Sequence, residues 1–410
     1  MVPKGWSEHT LDDLALVERG KFSVRPRNDP RYYGGDMPFV QTGDVTSSGT
    51  YLKSFSQTLN ENGIGVSKVF PKNTILITIA ANIGDTAITT FEVACPDSVV
   101  AIQPYKHVAD VYWLKKYLET RKTDLDAQST QNAQKNINLQ VLKPLLILTP
   151  PYAEQKKIAQ ILLAWDKAIS VTEKLLANSQ QQKKALMQQL LTGKKRLLDE
   201  NGERFSGDWN SSKLGDLFNF KKGKGLSKSD LSESGINKCI LYGELYTKYA
   251  EIAYEVISRT NSSDGQLSEP GDILLPASTT TSGIDLANAT ALSEGGILLG
   301  GDINILRPKV RLSSPFLAYF LTHMKKNEIS SRAQGITIIH LYGGDLKSID
   351  IVLPSTVQEQ QKIATVLSAA DAEISILEKK LACLKDEKKA LMQQLLTGKR
   401  RVKVDEAVAV

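Results

Sequence analysis

The stretch EQKKIAQILLAWDKAISVTEKLLANSQQQKKALMQQLLTGK, from Glu154 to Lys194, occurs a second time as EQQKIATVLSAADAEISILEKKLACLKDEKKALMQQLLTGK, from Glu359 to Lys399. Corresponding residues are 205 positions apart throughout (359 − 154 = 399 − 194 = 205), so no residue has been inserted or lost inside the repeat. Both copies are rich in strong helix formers, and neither contains Pro or Gly before its Thr-Gly pair. The repeat predicts two equivalent long helices, and Thr356 followed by Glu359 has the spacing of a capping box at the second.

Apolar residues recur along both copies in alternating steps of four and three, the pattern of a helix that packs against another helix. The residues predicted to pair the helices are Ile158, Leu162, Trp165, Ile169, Leu176, Leu186, Leu190, Ile363, Leu367, Ile374, Leu377, Leu381, Leu384, Leu391 and Leu395. Thr172, Ser179 and Lys183 interrupt the first seam, and we expect them to face mostly apolar residues of the second copy. Because the chain supplies two seams of equal length, we predict that the copies pair with each other. The long segment between them permits either direction, and a pseudo-two-fold arrangement favours an antiparallel pair. The alternative is two separate helices that each bind another protein.

Composition indicates a soluble globular protein of two to four folded units, because the chain has 410 residues, of which 41% are hydrophobic and 23% charged. The net charge of +6 is compatible with nucleic-acid binding without being diagnostic of it. The three cysteines are scattered, which favours a reducing compartment. With no apolar signal region and no run long enough to span a bilayer, the sequence predicts a cytoplasmic protein without membrane contact.

A weaker repeat precedes each helix: GWSEHTLDDLALVERGK (Gly5 to Lys21) aligns with DWNSSKLGDLFNFKKGK (Asp208 to Lys224). In the stretch before the first long helix, and again in the stretch between the two helices, β-branched runs alternate with helical patterns. This alternation indicates mixed α/β domains. The predicted fold class is α+β, with two mixed α/β domains alternating with two long helices paired as an antiparallel coiled coil of pseudo-two-fold symmetry. The predicted divisions are a first domain (1–149), a central helix and connector (150–205), a second domain (206–353), a distal helix (354–400) and a C-terminal tail (401–410).

No motif indicates catalysis. TPPY (Thr149 to Tyr152) resembles the aromatic Pro-Pro motif of adenine N6-methyltransferases, but its first residue is Thr and no glycine-rich cofactor loop follows a strand upstream. A strand that runs into a helix explains this tetrapeptide better. No histidine has a Cys or His neighbour at metal-ligand spacing, and no phosphate-binding G-x-x-x-x-G-K-[ST] is present. We therefore predict no catalytic residue and no metal site.

The two domains differ most in one loop each, residues 23–45 and 226–249, where basic residues alternate with Tyr, Asn and Ser. Such residues can position DNA phosphates and reach base edges. The candidate DNA-binding residues are Lys21, Arg25, Arg27, Asn28, Arg31, Tyr32 and Tyr33 in the first domain and Lys221, Lys222, Lys224, Lys228, Tyr242, Tyr246, Lys248 and Tyr249 in the second. ASTTTSG (277–283) and STQNAQKN (129–136) are less specific candidates. The alternative is an ordinary solvated loop in each domain.

These features together make the chain similar to specificity subunits of type I restriction–modification systems. The resemblance covers essentially the whole length. It rests on the duplicated domain-and-helix plan, on the P-x-x-x-EQ-x-KIA-x-x-L helix start at Pro150 and on the twice-written KKALMQQLLTGK. One departure is that the second helix start, from Pro354, is one residue longer than the first.

The resemblance implies that each domain is a target recognition domain that reads one half of a split, asymmetric DNA sequence, and that the helices set the gap between the halves. It implies double-stranded DNA, two modification (methyltransferase) subunits and restriction subunits as partners. S-adenosylmethionine, and ATP with Mg, would then be bound by those partners and not by this chain, and a modification subunit would flip out the target adenine. Two other functions remain open: a self-contained adenine DNA methyltransferase and a protein-interaction scaffold.

Overall fold

The computed structural model describes residues 2–129 and 136–404. The chain divides into two compact units, which are described separately. Unit 1 comprises Met1–Glu173 and Lys380–Val410, and unit 2 comprises Lys174–Lys379. Each unit therefore contains one domain, one half of the first long helix and one half of the second.

Unit 1 is built from short strands and short helices that precede the first long helix. Its strands are β1 (Ser7–Thr10), β2 (Ala15–Arg19), β3 (Tyr33–Phe39), β4 (Tyr51–Leu52), β5 (Gln57–Leu59), β6 (Val69–Phe70), β7 (Ile75–Thr78), β8 (Thr86–Thr89), β9 (Val93–Ala94), β10 (Val99–Pro104) and β11 (Leu146–Thr149). Its α-helices are α1 (Leu11–Leu14), α2 (Thr42–Ser47), α3 (Glu61–Gly65), α4 (Val111–Thr120), α5 (Lys122–Ala127) and α6 (Leu139–Leu142), followed by the long helix α7 (Tyr152–Leu190).

Unit 2 repeats this plan. Its strands are β12 (Trp209–Lys213), β13 (Phe218–Lys222), β14 (Asn237–Ile240), β15 (Ile252–Ala253), β16 (Arg259–Thr260), β17 (Gln266–Leu267), β18 (Ile273–Pro276), β19 (Ser278–Thr279), β20 (Thr290–Leu292), β21 (Leu298–Leu299), β22 (Ile303–Pro308), β23 (Ile339–His340) and β24 (Asp350–Pro354). Its α-helices are α8 (Leu214–Leu217), α9 (Glu244–Thr247), α10 (Ser314–Met324), α11 (Lys326–Ser331), α12 (Gly343–Leu346) and the long helix α13 (Val357–Leu395).

The two domains have the same strand order. In unit 1 the five-stranded sheet runs β2-β10-β7-β8-β4, the four-stranded sheet runs β5-β3-β9-β6, and β1 pairs with β11. In unit 2 the matching sheets run β13-β22-β18-β20-β15 and β16-β14-β21-β17, and β12 pairs with β24. In both five-stranded sheets the last pair is parallel and the other pairs are antiparallel. The prediction of two related mixed α/β domains is confirmed.

In each unit, the end of one copy of the repeat is joined to the start of the other copy through one buried carboxylate. In unit 1, Arg401 donates from Nε and Nη2 to the two oxygens of Glu154, both at 2.8 Å, and Trp6 Nε1 donates to the same carboxylate at 3.1 Å. In unit 2, Arg196 donates to both oxygens of Glu359, at 2.5 and 2.6 Å. The Arg that follows each Thr-Gly exit therefore binds the Glu that begins the other copy of the repeat.

The Gln that follows each of these Glu residues joins its long helix to the domain. Gln155 accepts a hydrogen bond from the backbone N–H of Asp110 at 2.8 Å and donates to the Pro150 carbonyl at 3.0 Å. Gln360 accepts from the backbone N–H of Ser313 at 2.9 Å and donates to the Pro354 carbonyl at 3.0 Å. The repeated Glu-Gln pair is thus explained by buried hydrogen bonds, which are costly to leave unmade.

Within each unit the long helices run antiparallel. In unit 1, Asp166 pairs with Lys388 and Glu173 with Lys385, so the residue number rises in α7 while it falls in α13. All the residues predicted to form the two seams are buried or half-buried. Their assignment as the pairing residues nevertheless stays a prediction.

The expectation about the polar seam residues was wrong in unit 2. Ser179 donates a hydrogen bond to the Glu373 carboxylate at 3.1 Å, and Lys183 pairs with Asp371, so both face acids and not apolar residues. The hydroxyl of Thr172, in unit 1, donates to the Ala168 carbonyl of its own helix at 2.9 Å. The error arose because residues that correspond in an alignment are not opposite each other in an antiparallel pair.

Lys115 on α4 carries a charge into the core of unit 1, because its side chain is 0% exposed. Its ammonium contacts the Glu119 carboxylate and donates to the Gly49 carbonyl at 3.3 Å. Burial lowers the pKa of Lys115 from 10.5 to about 8, although Glu119 acts against that shift.

Lys115 should make the stability of unit 1 rise with pH. Since its pKa is lower in the folded state, the unfolded chain binds more protons between pH 8 and 10.5. The free energy of unfolding should therefore increase across that window, by on the order of 2 kcal/mol from this group. Urea unfolding of the parent chain and of Lys115→Met at several pH values will measure this, and we expect the rise to be smaller in the variant. Equal pH slopes would show that Lys115 does not titrate in this way.

In the part of the chain that the structure describes, no helix combines the length and the apolar character needed to cross a membrane.

Candidate nucleic-acid interface

The charged candidates of unit 1 lie on an exposed loop between β2 and β3. Arg27 pairs with Asp97 at 2.7 Å, and Arg31 pairs with Asp29 at 2.6 Å. Lys21, Arg25 and Asn28 are also exposed. Among the described residues, neither Lys21 nor Arg25 forms an ion pair, although the Arg25 guanidinium donates to the Val24 carbonyl at 2.8 Å. These two cations are therefore the more available ones for an external anion.

The two tyrosines where this loop joins β3 pack partly against the protein. Tyr32 and Tyr33 are half-buried, and their rings lie 6.3 and 5.8 Å from the ring of Phe22. The Tyr33 hydroxyl donates to the Arg27 carbonyl, and burial raises the pKa of that hydroxyl. The two rings thus hold the loop in shape, a packing role that the sequence analysis did not anticipate. Whether they also contact DNA stays a prediction.

The lysines of unit 2 are exposed along β13 and the loop after it. Lys222 and Lys224 lie 3.9 and 4.0 Å from Asp302 and Asp264, at the limit of an ion pair. Lys221 and Lys228 form no ion pair with any residue in the described ranges. These four ammonium groups are therefore largely uncompensated, which favours contact with an anion.

The other candidates of unit 2 are less available. Lys248 donates to Glu244 at 2.7 Å. Tyr242, Tyr246 and Tyr249 are half-buried, and the first two rings lie 6.5 Å apart. Tyr242 and Tyr249 pack against the hydrophobic core of their sheet. As in unit 1, the aromatic residues of the loop have a packing role besides any contact with DNA.

Lys221 and Lys222 also line a shallow cavity of about 240 Å³ together with residues that the sequence analysis missed. The rings of His340 and Tyr342 stack there, with centroids 6.2 Å apart and planes 22° apart. The Lys347 ammonium lies 5.9 Å from the centroid of the Phe220 ring. Cations beside partly exposed rings suit a nucleic acid, since rings can stack on bases. The run His-Leu-Tyr at 340–342 was the sequence signal that could have indicated this group.

The Thr-rich segment 277–283 belongs to the same region of unit 2. Its strand β19 pairs with β23, with Ser278 opposite His340. Close by, the hairpin that leads into β23 exposes two apolar side chains, Ile336 (98% exposed) and Ile338. The sequence does not predict this exposure, because an isoleucine-rich run is typical of a buried strand. The other less specific candidate, STQNAQKN (129–136) in unit 1, lies largely outside the described residues, since 130–135 are not covered.

The three cysteine thiols all have a pKa above that of an ordinary thiol. Burial raises the pKa of the thiols of Cys95 and Cys239, and a hydrogen bond to Glu387 raises that of Cys383. Because the thiolate is the nucleophile, these shifts act against nucleophilic chemistry. Among residues 2–129 and 136–404, no group of three His, Cys, Asp or Glu side chains could hold a metal ion.

Comparison with known proteins finds one family for both halves of the chain. A family model described as the type I restriction modification DNA specificity domain matches residues 3–178 and again residues 206–386. Each match begins near the start of one domain and continues into the long helix that follows it. The type I restriction enzyme MjaVIII specificity subunit of Methanocaldococcus jannaschii is 26% identical over 419 residues, covering 98% of this chain and 94% of that protein.

Solved structures show the same fold. The S subunit of a type I restriction-modification system from M. genitalium superposes with a TM-score of 0.61 at 18% identity, covering 96% of each chain. The HsdS subunit from Thermoanaerobacter tengcongensis gives a TM-score of 0.51 at 18% identity, covering 97% of this chain and 98% of that one. The predicted fold class, two mixed α/β domains that alternate with long helices, is confirmed by these likenesses.

Proposed function

We propose a function from one premise: the chain belongs to the type I restriction modification DNA specificity family. It is a non-catalytic subunit that recognises DNA, and each of its domains reads one half of a bipartite, asymmetric target. The observation that carries this proposal is the repeated strand order of the two domains, whose loops 23–45 and 226–249 differ in sequence. One scaffold with two different loops suits two variants of one recognition task.

The long helices act as the spacer between the two half-sites. Each is 39 residues long, and the two run antiparallel within each unit. At 1.5 Å per residue such a helix is about 58 Å long, and its length sets the number of unread base pairs.

The chemistry on DNA is supplied by partner subunits in the cytoplasm. The chain binds double-stranded DNA together with modification subunits, two per chain, and with restriction subunits. S-adenosylmethionine is bound by the modification subunits, and ATP with Mg by the restriction subunits. This division of labour agrees with the lack of an activated thiol among the described residues, where all three cysteines have a raised pKa.

A selection experiment tests this function. The chain, purified with its modification subunit, is incubated with random duplex DNA at several salt concentrations, and the bound sequences are read. We expect two short sequence blocks separated by a constant gap. Binding without sequence preference would contradict the proposal, and methyl transfer to DNA by the chain alone would favour a methyltransferase. Binding of the partner without DNA would favour a protein scaffold.

The unpaired lysines should contribute to the salt dependence of DNA binding. We expect Lys221→Ala to make the negative slope of log affinity against log salt shallower by about 1, and to weaken target and non-target binding alike. Lys238 is the matched control, since it lies in the same unit but pairs with Glu294 at 2.7 Å. Salt titrations of Lys221→Ala and Lys238→Ala will compare the two. An equal or larger effect at Lys238 would remove Lys221 from the interface.

A further inference from the structure

We propose that two Tyr–Asp–Lys triads, one in each unit, are positioning residues that fix the register of the long helices and so set the gap between the half-sites. The inference rests on the proposed function for its effect on DNA. It rests on the structure for the triads themselves, which consist of Tyr112, Asp166 and Lys388 in unit 1 and of Tyr319, Asp371 and Lys183 in unit 2.

The first triad joins three elements of unit 1. Lys388 on α13 contacts Asp166 Oδ1 on α7, and the hydroxyl of Tyr112 on α4 donates to Asp166 Oδ2 at 2.6 Å. Thr50 also donates to Oδ2, at 3.1 Å, and the ammonium of Lys116 lies 3.5 Å from it. One carboxylate therefore holds both long helices and the domain at a single point.

The second triad has the same geometry in unit 2. Lys183 on α7 contacts Asp371 on α13, and the hydroxyl of Tyr319 on α10 donates to Asp371 Oδ2 at 2.5 Å. The Lys183 ammonium lies 5.7 Å from the centroid of the Tyr319 ring. The repeat relates the two sites, because 166 + 205 = 371 and 183 + 205 = 388. Each long helix thus gives an Asp to one triad and a Lys to the other.

The triads are largely shielded from water. A change of register that separates their charges is therefore costly. The Asp166 side chain is 24% exposed and that of Lys388 14%, while both tyrosines are buried. Burial alone would raise the pKa of the Asp166 carboxyl, but Lys116, Lys388 and Tyr112 together lower it to about 2. Asp166 is therefore charged at neutral pH, and an ion pair that loses one partner in such a place is costly.

The apolar residues of one row in each helix favour a single register only weakly, because Leu or Ile recurs there at seven-residue steps, as at Leu162, Ile169, Leu176 and Leu190 and at Leu367, Ile374, Leu381 and Leu395. A slip of seven residues would place Asp166 opposite Leu381 or Leu395 (388 − 7 and 388 + 7). In unit 2 the same slip would place Asp371 opposite Leu176 or Leu190 (183 − 7 and 183 + 7). Both carboxylates would then face leucine and not lysine. A single polar seam position is a known means of fixing coiled-coil register.

The tyrosines couple the register of the long helices to the domains. Tyr112 and Tyr319 come from helices of the two domains, and each binds the carboxylate that the seam lysine binds. A slipped helix would therefore lose its domain contact together with its ion pair. One heptad is about 10 Å of helix, which corresponds to about three base pairs of DNA.

An all-leucine seam tests the proposal. The variant carries Asp166→Leu with Lys388→Leu and Asp371→Leu with Lys183→Leu, which keeps the seam apolar, a replacement that is often neutral or stabilising. The control is Glu173→Leu with Lys385→Leu, an exposed pair that crosses between the same helices at 2.8 Å. If the leucine variant fails to fold, Asp166→Asn with Asp371→Asn replaces it. Each protein, with its modification subunit, is titrated with targets whose gap is changed by one, two or three base pairs.

We expect the parent and the control to prefer one gap by at least about 100-fold and the leucine variant to lose at least about tenfold of that preference. Equal weakening at every gap would indicate a merely structural role and overturn the proposal, as would unchanged preference. Spin labels at Asn178→Cys and Ala372→Cys in a Cys383→Ser background, one on each helix of unit 2, report register without DNA. We expect one label distance in the parent and, in the leucine variant, a second distance that reflects an axial displacement of one helix by about 10 Å.

The two readouts separate this inference from the proposed function. If the parent shows no sequence-specific binding at any gap, the proposed function fails and the label distances alone decide the register claim. If the parent binds its target but the leucine variant shows one unchanged label distance, the triads do not set the register, and the proposed function stands without them.

Discussion

Inserting one heptad into both long helices should lengthen the recognised gap by up to about three base pairs and leave both half-sites unchanged. The insertions belong between Glu173 and Lys174 and between Lys379 and Lys380, where the chain passes from one unit to the other. Seven residues preserve the seam and add about 10 Å to each helix. Both copies must be extended because the helices pair within each unit. Affinity for the parental target should fall by at least about 100-fold, since one half-site is lost.

The measurement is a titration of targets in which only the gap varies. The control protein has the same seven residues inserted into the C-terminal tail after Lys403, where the helices are untouched. It should keep the parental gap. If the doubly extended protein also kept the parental gap at parental affinity, the helices would not act as the spacer.

Replacing Arg196 by Met should destabilise unit 2 by about 3 to 5 kcal/mol, the largest effect on stability that we expect from one side chain. Glu359 is 1% exposed. Its carboxylate accepts two hydrogen bonds from the Arg196 guanidinium, at 2.5 and 2.6 Å. Without Arg196 a buried charge would lose its partner. Arg401→Met should cost less, because Trp6 still donates to Glu154 and the Arg401 side chain is 42% exposed.

Hydrogen exchange at the start of α13, followed together with urea unfolding, will report this loss in unit 2 specifically. The exposed neighbour Lys195 is the matched control, and Lys195→Met should change stability by less than about 0.5 kcal/mol. Adding Glu359→Gln to Arg196→Met should recover part of the loss, since the amide carries no charge to bury. A cost below about 1 kcal/mol for Arg196→Met would show that the Arg196–Glu359 ion pair contributes little to the stability of unit 2.

The long helices and the duplicated domains could be predicted because their signals are local or repeated. Helix formers and heptads lie within one segment, and the 205-residue offset relates Asp166 to Asp371 without a structure. What those residues bind could not be predicted. Glu359 has the spacing of a capping box with Thr356, and its backbone N–H does lie 3.4 Å from that hydroxyl. Its carboxylate, however, binds Arg196, 163 positions away, a choice that depends on the folded chain.

The candidate interface was predictable in part for a similar reason. The positions of the basic loops followed from comparing the two domains, and Lys221 and Lys228 are exposed. The packing of Tyr33 against Phe22 and Phe39 could not be predicted, because aromatic rings in a loop have the same local pattern whether they pack or project. The exposure of Ile336 depends on a hairpin that only the fold creates.

One chain is expected to read two DNA half-sites at a fixed separation, and methylation in the cell will test this directly. N6-methyladenine is mapped across the genome in cells that carry the modification partner, with and without the gene for this chain. We expect methylation that depends on the gene and that marks two short sequences separated by one constant gap. Methylation at a single uninterrupted sequence, or a pattern unchanged by loss of the gene, would contradict the account.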